Sequence, residues 1–100
     1  MYHEQAQRFK ALSDPNRLRI LELLIQGETC GCTLIDKLPI GQPTLSYHLK
    51  QLADAGLTRR VVDGTKHLYY VEKDALASLR EFLRDVEHST ATSCEVETNG

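Results

Sequence analysis

Between Thr33 and Gly56 the chain sets two apolar-striped segments on either side of an abrupt break: TLIDKL stops at Pro39, a tight turn carries Gly41, and QPTLSYHLKQLADAG follows. Proline lacks the backbone donor a continuing helix needs, and glycine supplies the freedom a sharp turn needs. A short helix over 33–38 and a longer one from about Pro43 to Ala55 are therefore predicted, with Gly56 in the left-handed position that closes the second. Helix, glycine-bearing turn, helix is the arrangement of a helix-turn-helix. At about 100° per residue, Leu45, Leu49 and Leu52 share one arc and must face a core.

The flanking segments complete the pattern. Ala6, Phe9 and Leu12 at helical spacing predict a first helix within residues 2–12. SDPNRLRILELLIQG predicts a second, capped by Ser13 or Asp14, with Pro15 at its first position and Gly27 past its end. Leu18, Leu21, Leu24 and Ile25 are its expected buried stripe. After the turn motif, Val61–Val62 and Leu68–Val71 flank Asp63-Gly64, a dipeptide suited to a type I′ hairpin turn whose two central residues both need positive φ. A last helix is predicted from Asp74 to about His88. The order α-α-α-α-β-β-α, mainly helical with a two-stranded wing, is a winged helix-turn-helix. A chain of 100 residues buries one modest core. The expected organisation is a DNA-binding and dimerisation domain over 1–88 and a flexible polar tail over 89–100.

Opposite the leucines of the 43–55 helix lies a face of hydroxyls, amides, a phenol and a lysine. Gln42, Pro43, Thr44, Ser46, Tyr47 and Lys50 are its candidate contacts to base edges and phosphates in a major groove. His48, nearer the buried border, is expected to bond local backbone. Arg59, Arg60, Lys66 and His67 on the hairpin are expected to reach sugar-phosphate or the neighbouring minor groove. The net charge of −2 is unevenly spread: residues 42–70 hold four Lys/Arg against two acids, and residues 71–100 hold three against seven. One face can thus meet phosphates while the rest is repelled. A single winged helix makes few contacts, so two are expected to act together. Phe9 on the first helix and Leu76, Leu79, Phe82, Leu83 and Val86 on the last are the expected faces of a homodimer. Two-fold symmetry would set the recognition helices roughly 34 Å apart on double-stranded DNA and predicts an inverted-repeat operator.

Other classes are disfavoured. No apolar run approaches the ~18 residues of a membrane span, and no signal-peptide pattern is present, which predicts a cytoplasmic protein with no membrane partner. No Ser-His-Asp or Cys-His pairing, phosphate-cradling glycine loop or carboxylate pair stands in a recognisable setting, so an enzyme is not expected. Three cysteines, an odd count, predict reduced thiols rather than a disulfide framework. Cys30 and Cys32 stand one residue apart at the start of the 33–38 helix, among the polar neighbours Glu28, Thr29 and Thr33. On a regular helix they would diverge by about 200°. Gripping one soft ion would then require reshaping the helix start, which Gly31 eases. Ligand and DNA would favour different shapes of one segment, the requirement for allosteric coupling.

Taken together, LSDPNRLRILELL, ETCGCTL, QPTLSYHLKQLADAGL and DGTKHLYYV resemble the ArsR/SmtB family of winged-helix metalloregulators, most closely its arsenic-responsive repressors, from about Phe9 to Val71. The resemblance implies a transcriptional repressor with no permanent cofactor, whose Cys-x-Cys holds As(III) or Sb(III) as inducer, or part of a Cd, Pb or Zn site in related members. Binding then releases the dimer from DNA. Pyramidal arsenic(III) takes three sulfurs. Where some arsenic repressors carry a third cysteine in the same helix, this chain has Ile35 and Asp36, and Cys94 is the only other thiol. Cys94 could fold back from its own chain or its partner's, or solvent or a small thiol could complete the site. The family's zinc site on the last helix needs an early Asp-x-His pair, which Lys73-Asp74-Ala75 does not supply. Two other functions fit the same fold: a redox sensor using Cys30, Cys32 and Cys94, and a module for protein contacts alone, which would show no salt-dependent DNA affinity.

Overall fold

In residues 1–89, which the computed structural model describes, α1 (His3–Leu12) leads to α2 (Pro15–Ile25) and α3 (Gly31–Leu34), continued by a 3-10 turn (Ile35–Lys37). Then come α4 (Gln42–Asp54), β1 (Thr58–Asp63), β2 (Lys66–Val71) and α5 (Lys73–Glu87). The winged helix-turn-helix order is thus present. Cys94 and nearly all of the expected tail lie outside the described residues.

Of the two candidate caps for α2, Asp14 is the one used: its Oδ1 accepts from the N–H of Asn16 at 2.8 Å and of Arg17 at 3.2 Å, with Pro15 next in sequence. Partial burial alone would raise its carboxyl. The Arg17 and Asn16 N–H groups, with the Arg17 side chain behind them, outweigh that and hold it below the usual carboxylate range. A depressed folded-state pKa contributes stability at neutral pH that is lost as pH falls through the folded value. Asp14→Ala is therefore expected to cost about 1 kcal/mol in neutral denaturant titrations. The gap from wild type should close in acid, below the ordinary carboxylate range.

The core is built where α2, α4 and the base of the hairpin meet. Ile20, Leu23, Leu34, Leu45, Leu52 and Leu57 are all under 2 % exposed, and each contributes roughly 1.5–3 kcal/mol by leaving water. The buried line of α2 is Ile20, Leu23 and Leu24, a correction to the expected stripe: Leu21 is half-buried, while Leu18 and Ile25 are 52 % and 67 % exposed. α1, α4 and β2 pack against α2 where Ile20, Leu23 and Leu24 are buried, and Leu18 and Ile25 are left largely exposed among the described residues.

The hairpin differs from expectation at its tip. Register runs from Thr58 opposite Val71 to Asp63 opposite Lys66, so the two central residues are Gly64 and Thr65. Only Gly64 has positive φ, at 65°. A type I′ turn needs two such residues; one glycine at the first central position is the type II′ arrangement. Gly56, at φ 77°, ends α4 as anticipated. The largest change is at α3, which begins two residues early and tightens into the 3-10 turn before Pro39. Cys30 is consequently the cap of that helix, in extended conformation at φ −80°, ψ 135°.

Candidate functional site

α4 presents the face its sequence implied. Leu45, His48, Leu49 and Leu52 are buried, while Gln42, Pro43, Thr44, Ser46, Tyr47 and Lys50 are exposed. Lys50 Nζ lies 2.7 Å from Asp54 Oδ2, one turn on. Among the described residues the His48 side chain bonds no backbone group. Its Nδ1 lies 3.1 Å from Arg17 Nη1 and its Nε2 3.9 Å from Asp14 Oδ1, contacts between distant helices that sequence periodicity had no means of showing.

The hairpin divides its cations between two faces, because side chains alternate along a strand. Arg60 and His67 share one face and line a cleft of about 670 Å³ between the wing and α4 with Ser46 and Lys50, whereas Lys66, opposite Asp63 at the tip, alternates onto the other face and borders the neighbouring cleft. Arg59 belongs to that other face as well, its guanidinium 4.9 Å over the Tyr70 ring and its Nε 3.4 Å from Glu72 Oε1. The four candidate wing residues therefore do not act as one patch. Arg60 and His67 stand beside α4, Lys66 sits at the tip of the wing, and Arg59 braces its base.

Cys30 and Cys32 converge. The expected divergence assumed both on one helix, but Cys30 precedes α3, and the two Cα atoms are 5.2 Å apart. The two sulfurs lie against each other, an adjacency that suits either a shared soft ion or an oxidised pair. The odd cysteine count bore on framework disulfides and said nothing of the distance between these two. Cys30 Sγ also accepts from the Cys32 N–H at 3.3 Å, and its carbonyl accepts from the N–H groups of Thr33 and Leu34 at 3.0 and 3.1 Å. The pair opens on a cleft of about 610 Å³ shared with Gln42, Ser46, Lys66 and His67. Its backbone is tied to the wing as well. Cys30 forms an antiparallel bridge opposite Leu68, and the Tyr69 N–H donates to the Thr29 carbonyl at 2.8 Å. The segment before α3 is in effect a short third strand beside β2, a feature no local pattern announced. Two sulfurs suit a thiophilic ion. Among the described residues no group of three or more His, Cys, Asp or Glu could hold a metal.

On α5 the expected dimer face is only partly free. Leu79, 3 % exposed, belongs to the core of its own protomer with Leu76 packed against it, a correction to its expected role. The reason is that α5 folds back onto α1. Phe82 is half-buried against Tyr2 and Phe9, with ring centroids 5.4 and 6.0 Å away. Leu83 and Val86 remain 53 % and 62 % exposed. Among the described residues no helix is long and apolar enough to cross a membrane.

Comparison with known proteins identifies this framework. The family model described as bacterial regulatory protein, arsR family, matches residues 14–59. An arsenical resistance operon repressor of Staphylococcus xylosus is 39% identical over 93 residues, which covers 93% of this chain and 88% of that protein. The chain belongs to the arsR family. The matched residues run from the Asp14 cap through the helix-turn-helix into β1, and so include both cysteines of the cleft. Among solved arsR-family structures, an ArsR-like transcriptional regulator from Rhodococcus superposes with a TM-score of 0.80 at 26% identity, over 98% of this chain and 92% of that one. The homodimeric winged helix-turn-helix DNA-binding domain of a possible ArsR-family regulator from Mycobacterium bovis gives 0.69 at 26%, over 87% and 82%. Proteins of the arsR family are DNA-binding regulators of transcription rather than enzymes.

Proposed function

We propose that the protein is a homodimeric repressor that grips an inverted-repeat operator and lets go when As(III) or Sb(III) is bound by Cys30 and Cys32, with Cys94 as third sulfur. The observation that carries this reading is the position of the thiol pair, in a cleft walled by the recognition helix and the wing. The arsenical resistance role named for the Staphylococcus relative supports the choice of ligand, and the homodimeric relative supports the assembly. Gln42, Pro43, Thr44, Ser46, Tyr47 and Lys50 enter the groove, Arg60, Lys66 and His67 approach the flanking backbone, and Leu83 and Val86 extend the contact between protomers.

The coupling follows from shared backbone. Drawing the thiolates around an ion moves Cys30, whose neighbour Thr29 holds the Tyr69 N–H and whose own strand-like backbone lies beside Leu68. The same movement displaces the start of α3 and hence the turn that aims α4. Two DNA-contacting elements are disturbed by one event, and a coupling of about 1–3 kcal/mol corresponds to a roughly 5–150-fold loss of operator affinity. No unwinding of a regular helix is needed, since Cys30 stands outside α3.

The test is a titration of fully reduced protein with arsenite under anaerobic conditions, following release of a labelled operator and sulfur-to-arsenic absorption together. Stoichiometric binding with release is expected, and a DNA complex indifferent to arsenite would reject the proposal. A second reading is favoured by one observation, the adjacency of the two sulfurs: the switch would then be oxidation of the dithiol, and the reduced protein would ignore arsenite while an oxidant released it. On either reading Lys50→Ala should weaken binding to all DNA sequences and lower the salt dependence by about one charge equivalent. An unaltered slope would remove Lys50 from the phosphate contacts.

A further inference from the structure

We propose that His48, in its neutral form, is a positioning residue that sets the roll of the recognition helix through Arg17. The buried leucines set which side of α4 faces inward, but apolar contacts are not directional and tolerate small rotations about the helix axis. The directional tie at the middle of α4 is His48, only 6 % exposed. A guanidinium has donors and no acceptor, so the Arg17 Nη1 group 3.1 Å from Nδ1 requires that nitrogen to be bare. The neutral ring then carries its proton on Nε2, the nitrogen that faces Asp14 Oδ1 at 3.9 Å.

Both partners are themselves fixed. Arg17 Nε donates to the Ala11 carbonyl at 2.7 Å, and Asp14 is committed to capping α2. The end of α1, the start of α2 and the middle of α4 thus meet at one imidazole. The next side chain, Tyr47, lies on the outward face with its ring centroid 5.6 Å from that of His48. A roll that broke the Arg17 bond would carry Tyr47, Ser46 and Lys50 off their bearing and strand a buried ring nitrogen. A second arginine serves the far end of the helix, Arg8 Nε donating to the Ala55 carbonyl at 3.2 Å. His48 contacts no DNA in this arrangement and acts through the residues it orients.

The inference rests on α4 being the DNA-reading helix and is independent of which inducer binds. Its test combines ring NMR of the intact protein at neutral pH with operator affinities of two variants. Wild type should show the Nε2–H tautomer at His48. His48→Leu, apolar and without an acceptor, should bind operator about tenfold more weakly, the size of one lost hydrogen bond to a charged group. His48→Asn, whose amide oxygen stands near the place of Nδ1, should restore most of that loss. A proton on Nδ1, a folded His48→Leu that binds as wild type does, or a folded His48→Asn no better than His48→Leu would each overturn the proposal. Should His48→Leu fail to fold, Arg17→Met removes the donor instead and is expected to give the same weakening, with unchanged affinity counting against the lock. Wild type with no affinity for any DNA is a different failure, that of the reading beneath it.

Discussion

Cys30→Ser protein is expected to bind operator within about twofold of wild type and to show no release by arsenite, the whole of a coupling worth roughly 5–150-fold disappearing. The variant should keep its fold for a reason visible at α3. Cys30 is the cap, its sulfur accepting from the Cys32 N–H, and a serine hydroxyl is a strong cap in the same place. What is lost is the soft donor, since a hydroxyl oxygen is a poor match for a thiophilic ion. Cys32→Ser should behave alike. Cys94→Ser decides the third arm: lost response would establish it as a ligand, and a normal response would leave the ion to the pair and an outside donor. Full induction in Cys30→Ser, read by operator release from reduced protein, would remove the proposed site altogether.

Leu52→Ala should have the largest effect on stability. The side chain is fully buried, at 0 % exposure, on the inner face of α4 and belongs to the main apolar cluster. Truncation removes its transfer energy and leaves a cavity, about 2–5 kcal/mol together, against a total of roughly 5–15 kcal/mol for a domain of this length. Each kcal/mol lowers Tm by about 4–8 °C in so small a domain, so a fall of more than about 10 °C is expected by calorimetry. Leu18→Ala provides the contrast. That position was expected in the buried stripe but is half-exposed on α2, and its truncation should cost the protomer under about 0.5 kcal/mol. Equal losses at both positions would mean that the outer line of α2 is covered in the assembled protein.

The parts legible in the sequence were those that local chemistry specifies. Pro15, Pro39, Gly41 and Gly56 mark helix boundaries because their backbone constraints act within a residue or two, and Leu45, Leu49 and Leu52 report the inner face of α4 because a helix has a fixed period. Misreadings arose where several faces were equally apolar. Leu18, Ile20, Leu21, Leu23, Leu24 and Ile25 wrap much of α2, and only the packing of α1, α4 and β2 chooses among them. Leu79 was misassigned for the same reason, an apolar stripe being indifferent to whether its cover is its own chain or another. The convergence of Cys30 and Cys32 turned on one residue of helix boundary, finer than pattern can resolve. The tie between Arg17 and His48 spans 31 positions and leaves no periodic trace.

The short bridge at Cys30 has a further consequence for solubility. β2 is flanked on one side by β1 and, at Leu68 and Tyr69, on the other by Thr29 and Cys30, so among the described residues β1 offers the longest open margin of this small sheet. Exposed strand margins invite another copy to add on and begin aggregates. Here the margin carries Arg59 and Arg60, one on each face of the strand, and a copy docking along it in register would set guanidinium groups opposite one another. Like charges set opposite one another disfavour such pairing, so this long exposed strand edge of the protomer resists edge-to-edge association between copies.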